Sequence, residues 1–294
     1  MTTAMHSTAV AAVSARAVGV RAAAALERSG GWVRPLAEWP DAPWAEAAGD
    51  IVWLAREPRT GHPRMVSLGA AVPLRPALRI DLSLASIWAP PPVAIIDPLR
   101  LRRRLGEACR ELAARGPRGF ACLLAGLEAP FPLDLGAPRL HALAQAYRQR
   151  NPAGVVAASC ALLGFGTGLT PSGDDAVGAA LFGARLAGGW DVDGMRVPIL
   201  AAAAQRTHRL SAALLEDLAD GRSYGLLHQL AAALDNDAPD WRSGFDRALR
   251  ELGAVGHSSG WDMFAGLAIG AACENRLVAT GPDVKGESGM RCRE

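Results

Sequence analysis

The chain has 294 residues, half of them apolar, with 31 basic against 29 acidic side chains and a net charge of +2. That is enough to bury a substantial core in one large or two small domains, and too close to neutral for a dedicated nucleic-acid binder. The only lysine is Lys285, in a polar C-terminal tail, which excludes a Walker A loop and an interior Schiff-base lysine.

The first part of the chain, residues 1–92, reads as β-rich. Short apolar runs at Ile51 to Leu54, Met65 to Leu68 and Leu78 to Leu84 are separated by Gly, Pro and Asp turns, the pattern of a small sheet or barrel. An Ala/Val-rich stretch near the start is interrupted by Arg16 and Arg21 before an export signal can form. Ala89-Pro90-Pro91-Pro92 marks a stiff connection, Val93 to Ile96 has the composition of one more strand, and Asp97-Pro98 is a helix N-cap followed by a first-turn proline. From there the spacing is helical: Leu99 to Ala114, Leu140 to Arg148, Val155 to Leu163, Ala176 to Leu186, Pro198 to Ala219, Tyr224 to Leu234, Trp241 to Leu252 and Trp261 to Leu277.

The fold class expected is α+β: a small N-terminal sheet or barrel, residues 1–92, a larger helical ligand-binding part, residues 93–280, and a disordered tail, residues 281–294. Arg100, Arg102, Arg103 and Arg104 read as a solvated basic face at the start of the first long helix. The uncharged stretch from Asn151 to Gly173 contains Pro152, Pro171 and several glycines, so it suits a soluble core better than a bilayer. Five widely spaced cysteines, Cys109, Cys122, Cys160, Cys273 and Cys292, form no C-x-x-C pair and suggest neither a zinc site nor a disulfide framework. A cytoplasmic location follows from that usage.

The run from Gly164 to Asp175, G-F-G-T-G-L-T-P-S-G-D-D, stands between two apolar segments where core-building alone would have placed aliphatic residues. Its glycines allow backbone N–H groups to approach a ligand, and its hydroxyls and carboxylates fall at a helix start. Ser258-Ser259-Gly260-Trp261-Asp262 repeats part of this design. Ser172, Gly173, Asp175, Gly183 and Ala184 align with Ser259, Gly260, Asp262, Gly270 and Ala271 at one constant offset, through duplication or through convergent helix-start chemistry. Ala179 with Gly183 and Gly266 with Gly270 would let the two helices approach closely and bring their polar starts together in one composite site.

Several chemistries are open to these residues. Asp174, Asp175 and Asp262 together need a metal, an arginine or ligand hydrogen-bond donors. Gly166, Gly168, Thr170, Ser172 and Gly173 suit an anion such as phosphate or carboxylate, and a small ligand with an anionic end and an N–H-bearing end would satisfy both sets without a metal. A magnesium-bound phosphate would satisfy them as well. His257, in Gly256-His257-Ser258-Ser259-Gly260, is placed to polarise a carbonyl or shuttle a proton. Thr207 and Ser211 share a helical face as further binding candidates, or bond back to the preceding turn. No G-x-S-x-G elbow is present, which disfavours a Ser-His-Asp hydrolase.

Gly166-Thr167-Gly168-Leu169-Thr170-Pro171-Ser172-Gly173-Asp174-Asp175, Gly256-His257-Ser258-Ser259-Gly260-Trp261-Asp262 and, between them, Thr207 to Leu215 resemble a bacterial family long catalogued as a domain of unknown function and linked to AllH, a subunit of oxamate carbamoyltransferase. The resemblance covers Val155 to Ala272; Ser258 stands where threonine is often found. It implies transfer of a carbamoyl group between oxalurate and phosphate, giving oxamate and carbamoyl phosphate, in purine-ureide (allantoin) degradation. An FdrA-like protein and a further subunit would be partners. No membrane or nucleic-acid partner is implied, and no cofactor beyond a possible magnesium ion. Members have also been described as carboxylases. Under the resemblance, Asp174, Asp175, His257 and Asp262 are the expected catalytic group. The glycines and hydroxyls named above, with Thr207, Ser211, Ser258, Ser259 and Gly260, are the expected binding group. A magnesium-dependent transferase and a non-catalytic ureide-binding subunit are the alternatives.

Overall fold

The computed structural model describes residues 12–36, 44–56, 60–69, 78–238 and 240–271, and the chain divides into two compact units, Met1–Pro90 and Pro91–Glu294. The expected disordered tail, residues 281–294, with Lys285, Cys273 and Cys292, lies outside the described residues.

The first unit contains β1 (Val13–Ser14), β2 (Ala17–Gly19), α1 (Val20–Arg28), β3 (Trp32–Pro35), β4 (Trp44–Ala47), β5 (Asp50–Ala55), β6 (Met65–Ser67), β7 (Leu78–Asp81) and β8 (Ser86–Trp88). They form one mixed sheet in the order β1-β7-β3-β4-β5-β6-β2-β8. The β4–β5 hairpin turns through Ala48 and Gly49, both at positive φ, in register Trp44 with Trp53 and Ala47 with Asp50. This handed turn matches the twist of antiparallel strands. Ala22, Ala25 and Leu26 of α1 are buried with Val33, Val52 and Val66 in the core of this unit. All three expected β runs are present, the third shortened to Leu78–Asp81.

The second unit is helical: α2 (Pro98–Arg110), α3 (Ala121–Leu124), α4 (Ala137–Arg148), α5 (Pro152–Leu162), α6 (Ser172–Ala187), α7 (Val192–Arg206), α8 (Arg209–Ala219), α9 (Gly225–Asp235), α10 (Trp241–Leu252) and α11 (Ser259–Gly270). Asp97 caps α2 as expected, its carboxylate accepting from Arg100 N at 2.7 Å. Asn151 and Asp191 do the same for α5 and α7.

Three expectations differ from the structure. Val93 to Ile96 is not a strand; Ile96 N donates instead to Leu186 O at the end of α6. Pro198 to Ala219 is not one helix, because the chain leaves helical geometry at Thr207 (φ −131°, ψ 170°) and restarts at Arg209. Arg104 is not solvated: it is buried, donates to Leu234 O and Asn236 O, and lies 4.8 Å from the Trp241 ring centroid.

The centre of the unit is the pair α6 and α11, the most extensively packed helices in the chain. Every residue of α6 except Arg185, and every residue of α11 except Ser259, is buried. Helices built this heavily from Ala and Gly carry no polar face, and such helices suit a position enclosed on all sides. Glycine decides how close they come. A Cβ added at Gly270 would stand 1.8 Å from Ala180 O, and one at Gly183 would stand 2.3 Å from Leu267 O. Positions 180 and 183 map onto 267 and 270 at the offset of the repeated motif, so the two contacts are reciprocal: each helix presents its glycine to the equivalent carbonyl of the other. Gly266 meets Ala176 O in the same way, at 2.1 Å.

Candidate functional site

The close crossing brings the two polar helix starts together. Thr170, two residues ahead of α6, and Ser259, the first residue of α11, share a hydrogen bond of 2.8 Å between their hydroxyls. The hydroxyls of Ser259 and Thr170 lie against Asp175, and those of Ser172 and Ser258 against Asp262. The exchange is again reciprocal, because Ser172 and Asp175 on one helix are the counterparts of Ser259 and Asp262 on the other.

The adjacent carboxylates Asp174 and Asp175 serve different ends. Asp174 is saturated: Oδ1 accepts from Gly164 N at 2.7 Å, while Oδ2 accepts from Thr207 Oγ1 at 2.5 Å and Ser211 Oγ at 2.6 Å. Those bonds tie the loop before α6, the break between α7 and α8, and α8 itself to one buried oxygen pair, and they account for the helix break at Thr207. Thr207 and Ser211 thus neither share a continuous helix nor bond back to their own preceding turn. Both hydroxyls are engaged by Asp174.

Asp175 and Asp262 are buried as deeply, at 6% and 0% exposure, yet each keeps one oxygen, Oδ2, with no hydrogen-bond partner. Oδ1 of Asp262 accepts from Phe120 N at 2.7 Å. Burial pushes the Asp175 carboxyl well above the usual carboxylate range, and the charges of Asp262 and then Asp174 push it further, against the hydroxyls of Ser259 and Thr170. Burial raises Asp262 to about 7, opposed by Phe120 N–H and by the hydroxyls of Ser172 and Ser258. No ion pair with either carboxyl is present among the described residues. Nor do any three His, Cys, Asp or Glu side chains stand where they could share a metal ion, so the three-aspartate magnesium arrangement is not formed among the described residues.

Residues 162–271 match the family model of oxamate carbamoyltransferase subunit AllH. The matched segment runs from the end of α5 to just past α11, so it holds both motifs, both buried carboxyls and the Asp174 hub. It is the family to which the two motifs pointed. No curated protein and no solved structure matches the chain.

Other residues of the expected site fall into distinct places in and around the matched segment. Gly166 and Gly168 sit at positive φ in the turn before α6, and Thr167 and Gly168 are exposed. Among the described residues no acceptor pairs with the backbone N–H groups of positions 166–170. Gly173 N is taken by Phe165 O at 2.8 Å, and Asp174 N and Asp175 N both go to Pro171 O. The N–H groups without an acceptor are therefore in the turn that precedes the helix. Gly260 is a packing residue: its added Cβ would stand 1.7 Å from Leu252 O. His257 is exposed, and its carbonyl accepts from Arg118 Nη1 at 3.3 Å.

Three contributors were not foreseen. Gly119, at φ +56°, passes so close to Asp262 that an added Cβ would be 2.2 Å from Oδ1, and this approach is what lets Phe120 N reach the carboxylate. The Phe120 ring stacks on Phe165 with centroids 6.3 Å apart, joining that segment to the start of the first motif. Tyr224, just before α9, lies near both Asp175 and Asp217, and burial together with their charges raises its hydroxyl. Gly116-Pro117 signals a chain reversal ahead of Gly119, but its approach to α11 depends on tertiary packing and has no local signature.

Proposed function

We propose that this chain is the ureide-holding subunit of an oxamate carbamoyltransferase-type complex in the cytoplasm, acting on oxalurate and phosphate to give oxamate and carbamoyl phosphate in purine-ureide degradation. The observation that carries the reading is the pair of buried, unpartnered carboxyl oxygens of Asp175 and Asp262, inside the segment that matches the AllH family. A buried polar atom without a partner is unfavourable by roughly 1–3 kcal/mol, and a ligand that supplies the missing bond recovers that energy on binding.

The site divides into two ends. The open N–H groups of positions 166–170, with the hydroxyls of Thr170, Ser172, Ser258 and Ser259, form the anion end for the oxalurate carboxylate or phosphate. Asp175 and Asp262 form the end for the carbamoyl group. Asp174, with Thr207 and Ser211, holds the start of α6 in place and touches no substrate. His257 stands at the exposed rim, where proton exchange with solvent is available. Both open oxygens are closed off from solvent, so binding requires the junction to open. The partners are an FdrA-like protein and a further subunit, which supply what this chain lacks for turnover.

The test is reconstitution. Carbamoyl phosphate formed from oxalurate and phosphate should require the full set of subunits and vanish when this chain is omitted. Undiminished product without this chain would reject the assignment.

A further inference from the structure

The arrangement of the two open oxygens specifies more than a carbamoyl end. We propose that Asp175 and Asp262 take one amide edge of the ligand between them, the Asp175 carboxylic acid donating its O–H to the carbonyl oxygen and the Asp262 carboxylate accepting an amide N–H. This rests on the proposed function above and deepens it: the substrate class is one that presents a carbonyl and an N–H side by side, and the group that polarises the carbonyl is Asp175.

Three observations support this division of labour. First, both Oδ2 atoms are buried, lack partners and belong to reciprocal positions on α6 and α11, and the charge of Asp262 acts on Asp175 across the junction. Second, no cation pairs with either group among the described residues. Two buried carboxylates side by side with no counter-charge repel each other, and one shared proton removes the repulsion. The titratable groups facing Asp175 are Asp262 on α11, Asp174 on its own helix and Tyr224 before α9, which itself faces Asp217. Asp175 is thus surrounded by carboxyls and is the member that keeps the proton. Third, Asp262 has the one backbone donor of the pair: Phe120 N–H holds its Oδ1 at 2.7 Å and favours its ionised form. A neutral acid and an ionised acid then present one donor and one acceptor, the complement of an amide edge. A neutral carboxyl held in an apolar setting as a hydrogen-bond donor to a carbonyl is an established way to stabilise negative charge developing on oxygen.

The experiment is calorimetric titration of the full-length chain with oxamate and with oxalate, the latter having the same anionic end without the amide. Wild type should bind oxamate at least about tenfold more tightly than oxalate. Asp175→Asn keeps a donor facing the carbonyl and should weaken oxamate by no more than about threefold. Asp262→Asn should weaken it by about thirtyfold or more, because Phe120 N–H pins the amide oxygen and turns the new NH2 against the ligand N–H. Circular dichroism and thermal melting confirm that each variant is folded. Should Asp262→Asn not fold, the wild-type oxamate-to-oxalate ratio and Asp175→Asn together still decide. Equal losses in the two variants, an inverted order, or no preference for oxamate would overturn the inference and leave the proposed function standing. Wild type that binds neither compound would overturn both.

Discussion

The starts of α6 and α11 are built on one plan and differ by one carboxyl. Ser172 and Asp175 have counterparts in Ser259 and Asp262, but the position equivalent to Asp174 is occupied by Trp261. The duplicated carboxyls have open oxygens, while the unduplicated one is filled by three donors. The shared residues thus face one another across the junction and compose the proposed site. Asp174 is an added brace, drawing Thr207 and Ser211 into position on one side only. Trp261 fills the corresponding place on the other side, where Gly253 gives it room: an added Cβ there would be 2.8 Å from the indole.

Removing the closeness of the two starts should have the largest effect. Gly270→Ala drives a Cβ into Ala180 O, a backbone atom on a fully buried helix, and should lower stability by about 3 kcal/mol or prevent folding. Chemical denaturation reads this directly. A variant as stable as wild type would mean that α6 and α11 can separate freely.

Next comes the contrast between brace and site. Asp174→Ala strands Gly164 N–H and two buried hydroxyls, and a loss of about 2–3 kcal/mol in stability is expected. Asp175→Asn, by contrast, should change stability by less than about 1 kcal/mol at pH 7, since an amide oxygen can still face the Ser259 and Thr170 hydroxyls and burial disfavours the charged form that the substitution removes. If Asp175→Asn proved the more damaging of the two, the division between brace and site would be reversed.

The open carboxyls should also make stability depend on pH in the sense opposite to that of an ion-paired aspartate. Asp262 titrates at about 7 when folded and near 3.8 when unfolded, so the native state binds the extra proton between these values. Its contribution is most favourable below the unfolded value, declines as pH rises toward about 7 and remains lost above it. The melting temperature of wild type should therefore fall across that window by more than that of Asp262→Asn. Identical slopes would remove burial as the cause of the shift.

The smallest effect is expected at His257. Its side chain is exposed and only its carbonyl is engaged, by Arg118. His257→Ala should lower turnover of the reconstituted complex by less than about fivefold. A loss of a hundredfold or more would give the carbonyl-polarising role to the imidazole and not to Asp175.

Much of this architecture was readable in the sequence, and its failures have physical causes. The repeated Ser-Gly-x-Asp helix starts and the Gly and Ala spacing behind them are local signals, and both are realised in the α6–α11 crossing. So is the Asp97-Pro98 cap. The distinction between Asp174 and Asp175 was not readable, because neighbours on a helix start point in different directions and only the surrounding donors reveal which is satisfied. The break at Thr207 was hidden by an Ala-rich run of high helix propensity, overridden by the bond to Asp174. Gly119 and Phe120 reach the site from 142 residues away in the chain, a distance at which spacing carries no information. In the first unit, β1 to β4 are two to four residues long, too short to show an alternating pattern.

The most direct test of the junction as the working site is phosphate-dependent cleavage of oxalurate by the reconstituted complex carrying Asp175→Ala, Asp262→Ala or both. Each single variant should lose activity by at least about a hundredfold, and the double variant should lose little more than the worse single one, because the two carboxyls act on one ligand edge. Full activity in either single variant, with the complex intact, would contradict the assignment of the α6–α11 junction as the place where the carbamoyl group is held.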